Sequence, residues 1–118
     1  PALTNMIATV DTKVLSASAD RVTTISSERG RAVKLTFEGT SLSLAVNNPD
    51  NGSAEEDIDI GYSGARLEIG FNAKYLTDIM TVIGAGEARI SLTDGGSPTV
   101  ITTDKDAASL YVLMPMRV

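Results

Sequence analysis

The apolar positions change period several times along the chain, and the changes divide it into two similar halves. Met6 to Val10 reads as a short strand, and Asp11 is placed to cap the helix that follows. Val14, Leu15, Ser18, Val22 and Ile25 then recur near the helical period, with Lys13, Asp20 and Arg21 elsewhere around the cylinder. This predicts an amphipathic helix of about four turns, ended by the loop Ser26 to Gly30. Ala32 to Phe37 alternates, Glu38-Gly39-Thr40 turns, and Ser41 to Val46 alternates again, giving a hairpin with one buried face. Asn47 to Ser53 is a loop rich in Asn, Asp, Gly and Pro, and Ala54 to Ile60 is a fourth strand loaded with acid.

After a turn at Tyr62-Ser63-Gly64 the order starts again. Arg66 to Phe71 is a strand, and Asn72 caps a second helix with a stripe of Leu76, Ile79, Met80 and Ile83, closed by Gly84 and Gly86. Ala88 to Leu92 alternates, Asp94 to Pro98 turns, and Thr99 to Thr103 and Leu110 to Met114 supply the last strands. Each half therefore reads strand, helix, strand, strand, strand, two copies of one unit sharing a core that neither could bury alone. The connections between the three strands after each helix are too short for parallel crossovers, so the class is α+β with antiparallel sheets.

At 118 residues the chain is expected to form one domain, burying roughly two-thirds of its unfolded surface. It has no cysteine and no histidine, which removes thiol nucleophiles, disulfides, the usual zinc ligands and the commonest general base near neutral pH. Neither an enzyme nor a cofactor site is expected. The formal net charge is -5, so a domain that binds DNA alone through a basic patch is not expected either. The longest apolar run, Leu110 to Met116, is far shorter than the ~20 residues that span a bilayer, and no signal segment is recognisable. That points to the cytoplasm, with no membrane partner.

Three local patterns invite chemistry. In Asn47 to Gly52, a calcium loop with Gly52 sixth would place Pro49 at the third position and Ile58 at the twelfth, where a carboxylate is required. Gly84-Ala85-Gly86 lacks the third glycine of a dinucleotide fingerprint and ends a helix instead of starting one. Of the acidic run Glu55, Glu56, Asp57 and Asp59, strand geometry lets only Glu55, Asp57 and Asp59 converge, and no second cluster completes a site. Its plain reading is a charged edge strand that discourages aggregation.

The end of the chain, Leu110 to Val118, is unusually apolar for a terminus and should be tied into a sheet. Pro115 cannot donate to a ladder, so regular pairing should stop there. By residue type alone Met114 and Met116 read first as fillers of core gaps; the other reading is an adaptable docking surface. The string Tyr-Val-Leu-Met-Pro-Met-Arg-Val closely resembles the C-terminus of the bacterial DNA polymerase sliding clamp, the beta subunit of the replicative polymerase. Asn47-Asn48-Pro49, Tyr62-Ser63-Gly64, Leu67 to Asn72 with Tyr75, and Leu92-Thr93-Asp94 resemble that family in the same order. The likeness covers nearly the whole chain but only the third, last domain of a clamp subunit, and a start at Pro1 suggests an excised piece.

That resemblance implies two pseudo-symmetric β-α-β-β-β repeats, with two helices facing a central hole and two antiparallel sheets outside. It implies a processivity factor, a homodimeric ring around duplex DNA, contacted without sequence preference. It also implies a pocket for short peptides of polymerases, the clamp loader and repair proteins. The matching pocket residues are Asn72, Tyr75, Val112, Met114, Pro115, Met116 and Arg117, with Gly96 and Pro98 on the rim where the family carries a small aliphatic residue and a serine. Thr24 and Ile25 match the subunit interface, Thr24 being smaller than the family's residue, together with the acids Glu55 and Glu56. Lys13, Arg21 and Lys74, by residue type simply solvated charges on helices, become under the resemblance candidates for weak, sequence-blind contacts to DNA phosphates. The other class of function consistent with the sequence is a free-standing peptide-binding scaffold that never encloses DNA.

Overall fold

Strand β1 (Met6–Asp11) runs directly into helix α1 (Thr12–Thr23) in the computed structural model, which describes residues 6–24, 32–48, 52–104 and 109–116. Asp11 is the cap: its Oδ1 accepts from the backbone N–H groups of Lys13 at 2.9 Å and Val14 at 3.1 Å. The buried face of α1 is Thr12, Leu15, Ser18, Ala19 and Val22, while Val14 is exposed, contrary to the stripe expected for it. At ~100° per residue Val14 sits a quarter-turn from Leu15, and Ala19 is small enough to take the inward position without interrupting the packing. Ile25, expected at the end of that stripe, lies outside the described residues.

The meander β2 (Ala32–Glu38), β3 (Ser41–Asn48) and β4 (Gly52–Asp59) follows, antiparallel throughout, with buried residues alternating along β2 and β3. Tyr62 and Ser63, expected in a turn with Gly64, belong instead to a short strand, β5 (Gly61–Ser63), whose Tyr62 stands opposite Ala8 of β1. Three residues are too few to carry an alternation, so only the partner strand reveals it. Then come β6 (Leu67–Asn72), α2 (Ala73–Ile83), β7 (Glu87–Leu92), β8 (Thr99–Thr102) and β9 (Tyr111–Leu113). Helix α2 buries Ala73, Leu76, Met80 and Ile83, leaves Ile79 half-buried, and ends at Gly84, whose φ of 81° is easy only for glycine and whose N–H donates to the Met80 carbonyl.

The nine strands among the described residues form two antiparallel sheets in the orders β5-β1-β7-β8-β9 and β4-β3-β2-β6. Each half thus gives its first strand to the other half's sheet: β1 pairs with β7, and β6 pairs with β2. The helices that follow those strands pack on each other and on the sheets, and the inner faces merge in one core that includes Leu15, Leu35, Phe37, Phe71, Leu76 and Ile90. Thr12 ties the helix pair together, its hydroxyl donating to the Gly84 carbonyl at 2.6 Å and its N–H to the Gly86 carbonyl at 2.9 Å.

Strand β6 is an edge, and two remote segments cover it. Met116 donates its N–H to the Gly70 carbonyl at 2.7 Å, and Gly95 in the β7–β8 turn lies so close that an added Cβ would stand 2.7 Å from the Glu68 carbonyl oxygen. Gly95→Val should therefore force the turn off β6 and destabilise the domain by about 1–3 kcal/mol. Equilibrium urea unfolding checks this, and a variant as stable as the parent would mean that the contact relaxes without cost.

Candidate functional site

Two short local devices build a groove between the start of α2 and the end of the chain. Asn72 caps α2, its Oδ1 accepting from the Tyr75 N–H at 3.2 Å, and this fixes Tyr75 on the first turn, where the residue is 59% exposed. Strand β9 pairs with β8 through Leu113, opposite Thr99, and ladder pairing ends before Pro115, which has no N–H to give. The backbone is then caught again where Met116 bridges to Gly70, so Met114 and Pro115 span the gap between the edge strands of the two sheets. Leu113 turns into the core, while Val112 and Met114 stay 54% and 62% exposed.

The resulting cleft has a volume of about 630 Å³. It brings together Asn72, Tyr75, Val112, Met114, Pro115 and Met116, all expected there, and adds Asp78, Ile79 and Leu113. Asp78 and Ile79 lie three and four residues after Tyr75, on the same helix face, so their presence could have been read from helical spacing. Gly96 and Pro98, expected on the rim, are not among the residues lining it: they belong to the turn before β8, where the Gly96 N–H donates to Asp94 Oδ1 at 2.8 Å. Arg117 lies outside the described residues. Asp78 is paired with Lys74 at 2.9 Å across one turn of α2, which leaves the cleft predominantly apolar.

The residues expected at a subunit interface and along DNA meet each other at the α1–β4 edge. Glu56 accepts from Arg21 Nε at 2.7 Å and Nη2 at 2.8 Å, and from the buried Ser18 hydroxyl at 3.0 Å. Arg21 and Glu56 are thus partners across one domain, a pairing that the separate roles read for them did not anticipate. Glu55 points to the opposite face of β4 and accepts from the Ser43 hydroxyl at 3.0 Å. Thr24 closes α1, its hydroxyl donating to the Arg21 carbonyl, while Lys13 is exposed on the first turn of α1.

The hydrogen bonds from Arg21, aided by the one from Ser18, hold the Glu56 carboxyl below the usual carboxylate range against a smaller opposing effect of burial. Because the folded value lies below the unfolded one, the pair's contribution is complete above the ordinary glutamate range and is lost as pH falls through the depressed folded value. Glu56→Gln should accordingly flatten the acid limb of a thermal-stability profile between pH 6 and pH 3, with a small effect near neutrality because the pair is partly exposed. An acid limb identical to the parent's would remove this pair from the linkage.

A domain made of two exchanged β-α-β-β-β halves, with an apolar cleft between the second helix and the chain end, is the architecture of sliding-clamp domains. Residues 1–117 match the family model of the DNA polymerase III beta subunit, C-terminal domain, and the chain belongs to that family. Among curated relatives, the beta sliding clamp of Caulobacter vibrioides is 41% identical over 112 residues, 95% of this chain and 30% of the relative. That of Haemophilus influenzae is 34% identical over 105 residues, 89% of this chain and 29% of the relative. Among solved structures, a sliding clamp from Bartonella birtlesii superposes with a TM-score of 0.93 at 46% identity, covering all of this chain and 34% of that one. A Caulobacter crescentus clamp gives 0.95 at 40% identity, covering all of this chain and 31% of the other. The chain thus spans about 30% of the length of the curated relatives it matches.

Proposed function

We propose that this chain acts as the third and last domain of a sliding-clamp subunit, a non-catalytic processivity factor of DNA replication in the cytoplasm. The observation that carries this reading is the apolar cleft formed by Tyr75 and the Met114-Pro115-Met116 span, a surface suited to seat apolar side chains of a short peptide. A related clamp from Bartonella birtlesii has been solved bound to griselimycin, which supports a ligand-accepting surface on clamps of this family. The peptides would come from polymerases, the clamp loader and repair proteins, each placing a leucine or aromatic anchor in the cleft. In the full ring, Thr24, Ile25 and the β4 acids would face a second subunit. The helices would face duplex DNA, with Lys13 showing no side-chain ion pair, among the described residues, of the kind seen at Arg21 and Lys74. Topology rather than affinity would hold such a ring on DNA.

The test is a fluorescence-polarisation titration of a labelled hexapeptide containing leucine and phenylalanine. Binding is expected to be weak but saturable, and Val112→Glu should reduce it at least tenfold by placing a charge in the cleft. Since Val112 is more than half exposed, that substitution should leave the thermal transition in place. Equal affinity of the two proteins would sink the docking reading.

A further inference from the structure

The four methionines of the chain occupy very different surroundings. Met80 is buried in the core at 2% exposure, and Met6 is partly buried and packed against that core. Met114 and Met116, by contrast, are 62% and 39% exposed, lie two residues apart around Pro115, and both line the docking cleft. The chain has no cysteine, so a mild oxidant meets no thiol before it reaches a thioether. Among the described residues, the oxidisable sulfur open to solvent is therefore concentrated in one functional surface.

We propose that Met114 and Met116 form a peroxide-reactive pair whose conversion to sulfoxides switches off peptide docking, an inference that rests on the docking reading above. In each step a thioether lone pair attacks one oxygen of a hydroperoxide, the S–O bond forms and the O–O bond breaks, and the other oxygen leaves as water or alcohol after taking a proton. Sulfur loses two electrons and the peroxide gains them. The product is a sulfoxide, polar and chiral, in place of a flexible apolar thioether. Seating a leucine or aromatic anchor against it would strip water from a strong acceptor, since the anchor brings no donor and the side-chain donors of the lining are limited to Asn72 and Tyr75. The fold should survive, because the backbone link from Met116 N–H to the Gly70 carbonyl does not involve either sulfur. Enzymatic reduction of the sulfoxides would restore the cleft, which makes the change reversible.

The experiment treats the chain with graded hydrogen peroxide and follows each methionine by peptide mass spectrometry. In parallel it measures binding of the labelled Leu-Phe hexapeptide and the thermal transition. Met114 and Met116 should be oxidised well before Met80, affinity should fall about tenfold or more with an unchanged thermal transition, and methionine sulfoxide reductases should restore binding. Oxidation of Met80 as fast as that of the tail methionines would overturn the assigned reactivity. Unaltered affinity at full sulfoxide occupancy of Met114 and Met116 would overturn the switch while leaving docking intact. Failure of the untreated chain to bind at all would overturn docking and the switch together, with the order of oxidation still read independently.

Discussion

Phe37→Ala should lower the unfolding free energy by about 3–5 kcal/mol, a large share of the roughly 5–15 kcal/mol that stabilises a domain of this kind. Phe37 is fully buried on β2, and its ring lies 5.5 Å from that of Tyr62 on β5 with the planes tilted by 39°. Those strands belong to different sheets, so the pair joins the layers at the end where β5 would otherwise be a bare three-residue edge. Tyr62 keeps its own anchor, its hydroxyl donating to the Ala65 carbonyl at 2.6 Å, and cannot move inward to fill the space left by the ring. Phe37→Leu, which restores most of the apolar volume, should recover much of the loss. Urea unfolding followed by circular dichroism decides the matter: a loss under about 1 kcal/mol for the alanine variant would mean that the sheets close over the gap.

Met114→Ala should do the opposite, costing little stability and most of the peptide affinity. A core methionine replaced by alanine costs about 2–5 kcal/mol, and Met80 is expected to behave that way. Met114 is 62% exposed, so its removal takes away little buried contact and should shift stability by no more than about 0.5 kcal/mol. If a peptide anchor covers its thioether, the variant should lose about 1.5–3 kcal/mol of binding, some ten- to hundredfold. Thermal unfolding and peptide titration on the same protein separate the two effects, and a large stability loss with unaltered affinity would return Met114 to the role of core filler. Its observed exposure already weighs against that role.

Much of the fold was legible in the sequence because local periods and caps determine it. Asp11 and Asn72 announce both helices, since a carboxylate or amide oxygen before an apolar-periodic run accepts from the free N–H groups of the helix's first turn. The alternation in Ala32–Glu38 and Ser41–Asn48 marks the hairpin, and Gly84 marks a helix end that needs a positive φ. The duplication followed from element order alone, and Pro115 told where ladder pairing would stop. The cleft residues Asn72, Tyr75 and Met114 to Met116 were named from a matching string, which carries chemistry without distances.

Only the tertiary structure decided how the two halves combine. No period in β1 or β6 says that each will pair in the other half's sheet, because a strand's pattern identifies its buried face and not its neighbour. The inward turn of Ala19 in place of Val14, the pairing of β5 with β1, and the meeting of Arg21 with Glu56 from 35 residues away are long-range choices of the same sort. The cleft itself exists because Met116 reaches across to Gly70 and brings the chain end beside the first turn of α2, a contact between segments 46 positions apart. Local chemistry therefore determined which elements form and where they end. Their partners, and with them the cleft, were settled by which apolar faces could be buried together once both halves were present.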